Sequence, residues 1–203
     1  MGNAKRNPRA QTRSWKFNAE TFTDSDEFNP VIEPGTRRQD CGQITDGAVA
    51  VILASDRFMQ GYASRRGVKA GDFPRILGWG HTNAGIRFLD KLERSKGEEY
   101  MFPHVRKAIT DAWRRAGIGG VESLDGIETH DCFTSTEYMA IDHFGLTPPG
   151  QSWQAIDSGL VELDGRCPVN ASGGLIGVGH PVGATGARLL LDAGRQVTGT
   201  AGD

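Results

Sequence analysis

The reading of this chain turns on Pro168-Val169-Asn170-Ala171-Ser172-Gly173-Gly174-Leu175-Ile176-Gly177-Val178-Gly179-His180-Pro181-Val182-Gly183-Ala184-Thr185-Gly186. Glycine at this density lets a backbone turn sharply and approach a ligand where a Cβ would clash. Pro181 restricts His180 to extended geometry, so the imidazole is presented from a loop and not from a helical face. Directly afterwards Ala187, Leu190, Leu191, Gly194 and Val197 mark an amphipathic helix. An imidazole displayed where a helix begins suits proton transfer beside an anionic group.

Working upstream, Glu128-Thr129-His130-Asp131-Cys132-Phe133 forms a second cluster of chemistry-bearing residues. It lies where a strand expected over 124–129 gives way to a helix opened by the capping-box spelling Thr134-Ser135-Thr136-Glu137 and stopped at Gly145. Ligand sites in α/β sheets gather at the carboxyl ends of strands, so His130 is placed to act. Further back, Val105, Ile109, Ala112, Trp113 and Ala116 share one helical stripe, which Gly117 terminates. Pro74 to Trp79 reads as a strand, and a short helix is expected around Arg87 to Leu92. The apolar run Ala48 to Ala54 reads as a strand covered on both faces. Ser55 should cap the helix that follows it, ending near Gly67. The order β-α-β-α-β-α, then a loop and a last helix, predicts a layered α/β domain.

Composition excludes several classes. Hydrophobic residues at 37% and charged residues at 24% suit an ordinary globular protein, and a net charge of −2 gives no field for nucleic acid or anionic membrane. No apolar run approaches the ~18–20 residues that span a bilayer. Cys41, Cys132 and Cys167 are too scattered for a disulfide framework or a zinc knuckle, and a cytoplasmic location is expected. Residues 1–40 carry Lys5, Arg6, Arg9, Arg13 and Lys16 ahead of their first acidic residue. They suit either a solvated or frayed terminal segment or a cationic surface for phosphate groups.

The long glycine run resembles the Asn-x-x-Gly-Gly … Gly-His-Pro-x-Gly-x-Thr-Gly signature of the thiolase family. His130-Asp131-Cys132-Phe133 resembles the signature of its sterol carrier protein 2 branch, where other thiolases have Asn-Glu-Ala-Phe. The resemblance implies a thiolase-like layered fold (α-β-α-β-α), of which this chain is the C-terminal half without its last two strands. On that implication residues 1–40 are the remnant of a loop region that meets coenzyme A, and residues 41–203 are a truncated C-terminal thiolase domain. The reaction implied is Claisen condensation of acyl-CoA molecules or thiolysis of a 3-ketoacyl-CoA, through an oxyanion that needs preorganised donors.

The same resemblance implies roles. His180 would keep a nucleophilic cysteine deprotonated and donate to the thioester oxygen, and His130 would complete that oxyanion hole. Cys132 and Phe133 would line the acyl pocket, with Gly179 and Gly42 beside the substrate. Many relatives have serine where Gly42 stands, so any contact there must come from its backbone. Neither catalytic cysteine of the family is matched by Cys41, Cys132 or Cys167. The expectation is therefore a fragment that carries the histidine half of the machinery and forms no acyl-enzyme alone. Coenzyme A thioester enters as substrate, with no permanently bound cofactor and no metal, and the full-length protein is expected to be a homo-oligomer. The rival readings are a non-catalytic CoA-thioester-binding module and an aldolase-like steroid side-chain lyase relative; the latter's kin carry tyrosine where His130 and the Gly-His-Pro loop stand. A Rossmann loop fails because a His-Pro interrupts the phosphate turn. A metal site from His130, Asp131, Cys132 and His180 fails because neighbours on an extended segment point to opposite sides. His81, His104 and His143 read as structural.

Overall fold

The long helices form where caps and periodicity call for them. In the computed structural model, which describes residues 2–10 and 17–202, Ser55 accepts from the Phe58 amide at 3.2 Å and opens α2 (Asp56–Arg66). Gly67, at φ +67°, ends that helix in the left-handed region that glycine enters without a Cβ penalty. A short α3 (Phe88–Ser95) follows. The apolar stripe of α4 (Pro103–Ala116) starts behind an N-terminal proline and buries Ile109. α5 (Thr134–His143) has the expected limits and a different cap: Thr136 Oγ1 accepts from the Phe133 amide at 3.3 Å, while Thr134 donates to Asp40 Oδ1 at 2.8 Å. Glu137 is drawn instead to Asn170. The last helix, α8 (Thr185–Val197), begins directly after the glycine-rich run.

Three short helices have no signature of their own in the sequence: α1 (Gly2–Arg6), α6 (Ser152–Asp157) and α7 (Gly174–Val178). Each is made by tertiary contact. Asn3 donates to the carbonyls of Val161 (2.9 Å) and Val169 (2.7 Å), docking α1 against α7 with Ala4 and Ala10 buried. The frayed reading of the terminus therefore does not hold for residues 2–10. Of the cations noted there, Arg13 and Lys16 lie outside the described residues.

The expected strands are where structure and expectation part. Residues 48–54 and 74–79 form no ladder, and 124–129 contributes one parallel bridge, Ile127 to Val169. The sheet among the described residues is a hairpin of β1 (Val31–Glu33) and β2 (Thr36–Arg37), turned at Gly35. A strand persists only when its amides and carbonyls find a neighbour. Residues 48–54 have no such neighbour among the described residues and leave Ile52 92% and Leu53 71% exposed, the reverse of a doubly covered strand. Residues 74–80 are held by α4 instead. They cross it so closely that a Cβ built on Gly80 would lie 1.7 Å from the Ala108 carbonyl oxygen. Arg115 seals this crossing, donating to the Trp79 carbonyl with its guanidinium 5.1 Å from the indole centre.

The architecture is mixed α/β, helix-rich, with a small sheet. Its core is made by Val121, Ile127, Ile141, Ala155, Val161, Cys167 and Val169, drawn from α5, α6 and the extended segments beside them. Ile127 of that core lies three residues before His130, and Val169 stands at the start of the glycine-rich run that leads to His180.

Candidate active site

One extended stretch, residues 41–45, binds both histidine-bearing segments through its backbone. Cys41 bridges Phe133 in antiparallel fashion, and the Gly42 amide donates to the Cys132 carbonyl at 2.7 Å. Three residues on, Ile44 bridges His180 in parallel: the His180 amide donates to the Gln43 carbonyl at 3.0 Å and Thr45 donates to the His180 carbonyl at 3.2 Å. Two turns fifty positions apart are thereby held side by side. His130 and His180 meet edge to face, their ring centres 5.0 Å apart and their planes at 84°.

The two imidazoles differ electrically. His130 titrates below the ordinary imidazole range, chiefly because its ring loses solvent and secondly because a charged His180 would repel it. His180 shares a 2.7 Å hydrogen bond between Nδ1 and the buried Thr185 hydroxyl at the head of α8. A hydroxyl can donate or accept, so Thr185 supports either neutral tautomer of His180. Nε2 is the nitrogen left to act as base when bare or as donor when protonated.

Behind the rings lies a second set of polar residues. Asn170, at φ +54° and 3% exposed, accepts from the Thr129 amide at 2.8 Å and donates to Glu137 at 2.7 Å. Glu128 accepts from the amide (2.8 Å) and hydroxyl (2.6 Å) of Ser172 and from Gln196 at 2.6 Å, tying the glycine-rich run to α8. Asp131, 2% exposed, accepts from the amides of Leu175 (2.6 Å) and Ile176 (3.5 Å) in the first turn of α7. Burial is the main cause that raises its carboxyl to about 7, and the charge of Glu137 adds to it. Sequence reasoning gave Thr185, Glu128, Asn170 and Asp131 no role. Asn170 could have been found as the first letter of the Asn-x-x-Gly-Gly run, and Asp131 from the alternation that turns it inward when His130 turns out.

The remaining expected site residues have these settings. Gly42 spends its amide on Cys132, and a Cβ there would stand 3.1 Å from that carbonyl oxygen. Gly179, at φ +99°, is buried and donates to the Leu175 carbonyl at 3.0 Å, forming the turn that delivers His180. Cys132 is half-buried and the Phe133 ring is 43% exposed. Cys41 Sγ donates to the Arg37 carbonyl at 3.5 Å, and Cys167 is buried with its thiol pushed up. His143 is a core residue. Its Nε2 accepts from the Phe102 amide at 2.9 Å, so the proton sits on Nδ1, between the Met139 carbonyl (2.6 Å) and Asp142 (2.5 Å). His81 is exposed, and His104 enters through its carbonyl, which accepts from Thr82.

Residues 88–203, more than half of the chain, match the family described as thiolase C-terminal domain-like. The chain belongs to the thiolase family. It is 29% identical over 201 residues to an acetyl-CoA acetyltransferase of Methanothermobacter thermautotrophicus, covering 98% of this chain and 48% of that relative. It is 33% identical over 163 residues to sterol carrier protein 2 of Homo sapiens, covering 80% of this chain and 28% of the relative. Benzoylsuccinyl-CoA thiolase subunit BbsB of Thauera aromatica is 29% identical over 168 residues, 82% of this chain and 40% of that one. The chain thus spans half or less of the length of these curated relatives. Among solved structures, the Ltp2-ChsH2(DUF35) aldolase superposes with a TM-score of 0.70 at 18% identity, over 98% of this chain and 49% of that one. At that identity the likeness speaks for the fold, a thiolase C-terminal-like domain.

Among the described residues, no helix is long and apolar enough to cross a membrane.

Proposed function

We propose that this chain supplies the histidine side of a thiolase-type acyl-CoA acyltransferase site, working on acetyl-CoA and a 3-ketoacyl-CoA. The observation that carries the reading is the edge-to-face contact of His130 and His180, 5.0 Å apart and offered from two turns. Two imidazoles so placed can converge on one thioester carbonyl. Nε2 of His180, bare, takes the proton of an attacking thiol. The same nitrogen, once protonated, donates to the carbonyl oxygen as it gains negative charge. His130, held toward its neutral form, offers a second N–H without adding a second positive charge to the pair. Phe133 and Cys132 flank the acyl group, and Gly42 and Gly179 allow close approach of the pantetheine arm.

The attacking cysteine in this reading is none of Cys41, Cys132 and Cys167. Coenzyme A thioester comes and goes as substrate, and no cofactor resides. Residues 1–40 serve the phosphate end of coenzyme A: Arg6 and Arg9 stand with Arg195 around a cavity of about 360 Å³, though Arg6 also pairs with Asp164 at 2.8 Å. The assembled protein is a homo-oligomer of the cytoplasm.

The test titrates acetoacetyl-CoA into the purified chain while the histidine ring signals are followed by NMR. Concerted movement of the His130 and His180 signals, with the His130 response lost in His180→Ala, supports the reading. Saturable binding that leaves both rings unmoved refutes it and favours a CoA-thioester-binding module. An acetyl adduct on any of the three thiols after exposure to acetyl-CoA would overturn the assignment of the nucleophile.

A further inference from the structure

Asp131 is a buried acid that touches both halves of the candidate site. Its own backbone lies between His130 and Cys132, and its carboxylate grips the first turn of α7 through the Leu175 and Ile176 amides. α7 is five residues long and buried over Gly174–Gly177, and Gly179 at its far end hands the chain to His180. The fit is interlocked. A Cβ built on Gly174, which sits at φ +60°, would fall 2.2 Å from Asp131 Oδ2, so the carboxylate occupies the room that this glycine leaves.

We propose that Asp131 is a positioning residue whose carboxylate, by holding the start of α7, sets the distance between the His130 and His180 rings. The inference rests on the reading that these rings serve one thioester, but it concerns their spacing in the ligand-free chain. A charged carboxylate serves two amide donors; a protonated one keeps fewer acceptor sites and carries an O–H that the facing N–H groups cannot accept. The grip therefore weakens as Asp131 takes up a proton, which its setting allows near pH 7. The charged groups around it are Glu137 on α5, Asp40 and Glu162 across the adjoining cavity, and Arg188 of α8, which donates to the Gly174 carbonyl at 3.4 Å. Beyond the grip stand the two imidazoles themselves.

The experiment measures the cross-relaxation peak between the His130 and His180 ring protons in the intact, ligand-free chain, from about pH 8.5 to about pH 5.5, a window that brackets the ordinary imidazole value. A separation of about 1 Å, the scale at which positioned groups lose function, weakens such a peak about threefold. In the wild type the peak is expected to fall through about pH 7. In Asp131→Asn, which cannot titrate, it should hold at one level until the imidazoles themselves charge. A Val169→Ala control, which loosens the core without touching the grip, should follow the wild-type curve. A wild-type peak that stays level through pH 7, or an Asp131→Asn curve that superposes on the wild type, overturns the proposal. The wild-type series alone decides the first outcome should the variant fail to fold. Neither outcome depends on whether coenzyme A binds.

Discussion

Replacing Asp131 by Asn should change how stability depends on pH more than stability at any one pH. The carboxyl titrates at about 7 in the folded chain and from an ordinary value of 3.8 when solvated. Because the folded value is the higher, the unfolded chain gives up its proton first as pH rises. Between the two values the native state holds more protons than the unfolded one, so stability falls across that window and levels off above it. A gap of about three pH units, at 1.36 kcal/mol each, makes the fall about 4 kcal/mol, as an order of magnitude. Asn carries no such linkage. The difference in unfolding free energy, variant minus wild type, should therefore climb by about 4 kcal/mol from near pH 4 to near pH 7.5 and then flatten. Urea unfolding at intervals across that range, read by tryptophan fluorescence, measures the slope directly. The constant offset between the two proteins is immaterial, since Asn can replace only part of the grip on Leu175 and Ile176. Two stability curves that run parallel would refute the assignment of a buried, neutral-range carboxyl at Asp131.

Gly174→Ala forces a Cβ onto the Asp131 carboxylate in a left-handed backbone, and urea unfolding should show a loss of at least about 2 kcal/mol. His143→Phe strands the Phe102 amide and the buried Asp142 oxygen and should cost about 2–4 kcal/mol in the same assay, whereas His81→Ala at the surface should stay within about 0.5 kcal/mol. Thr185→Val removes the hydroxyl that satisfies His180 Nδ1 and should cost about 1 kcal/mol. It should also shift the balance of His180 tautomers, read from the ¹⁵N shifts of its ring, and an unchanged balance would show that the hydroxyl does not set it. Glu128→Gln loses charge-assisted bonds to Ser172 and should lower the thermal midpoint, with amide exchange quickening first over 171–174.

What was legible in the sequence depended on where each element finds its partners. α2, α4, α5 and α8 carry their information locally, as caps, stripes and a terminating glycine, and they form close to the expected limits. The His130–His180 pair was legible because two long ordered motifs announced its members, and the structure brings them into contact. Strands carry half of their information elsewhere. The run Ala48 to Ala54 states that it wants cover on two faces but not what supplies it, and here its apolar side chains stand open. α7 was hidden for a related reason. Its glycines argue for a loop; Ser172 serves the Gly174 amide locally, but the acceptor for the Leu175 and Ile176 amides is Asp131, forty-four positions before Leu175. α1 likewise depends on Asn3 reaching Val161 and Val169.

Residues 41–45 fasten the two imidazole-bearing turns with peptide groups instead of side chains. Such a staple is almost invisible to a scan of point mutants, because nearly every amino acid brings the same amide and carbonyl. It is acutely sensitive to chain length. One residue inserted between Gly42 and Ile44 would leave each end gripping its own turn, yet would slide the turns past each other by about one strand step of 3.3 Å. Gly42 apart, where a side chain would crowd the Cys132 carbonyl, related proteins could thus diverge in the letters of this pentapeptide while remaining bound to its count.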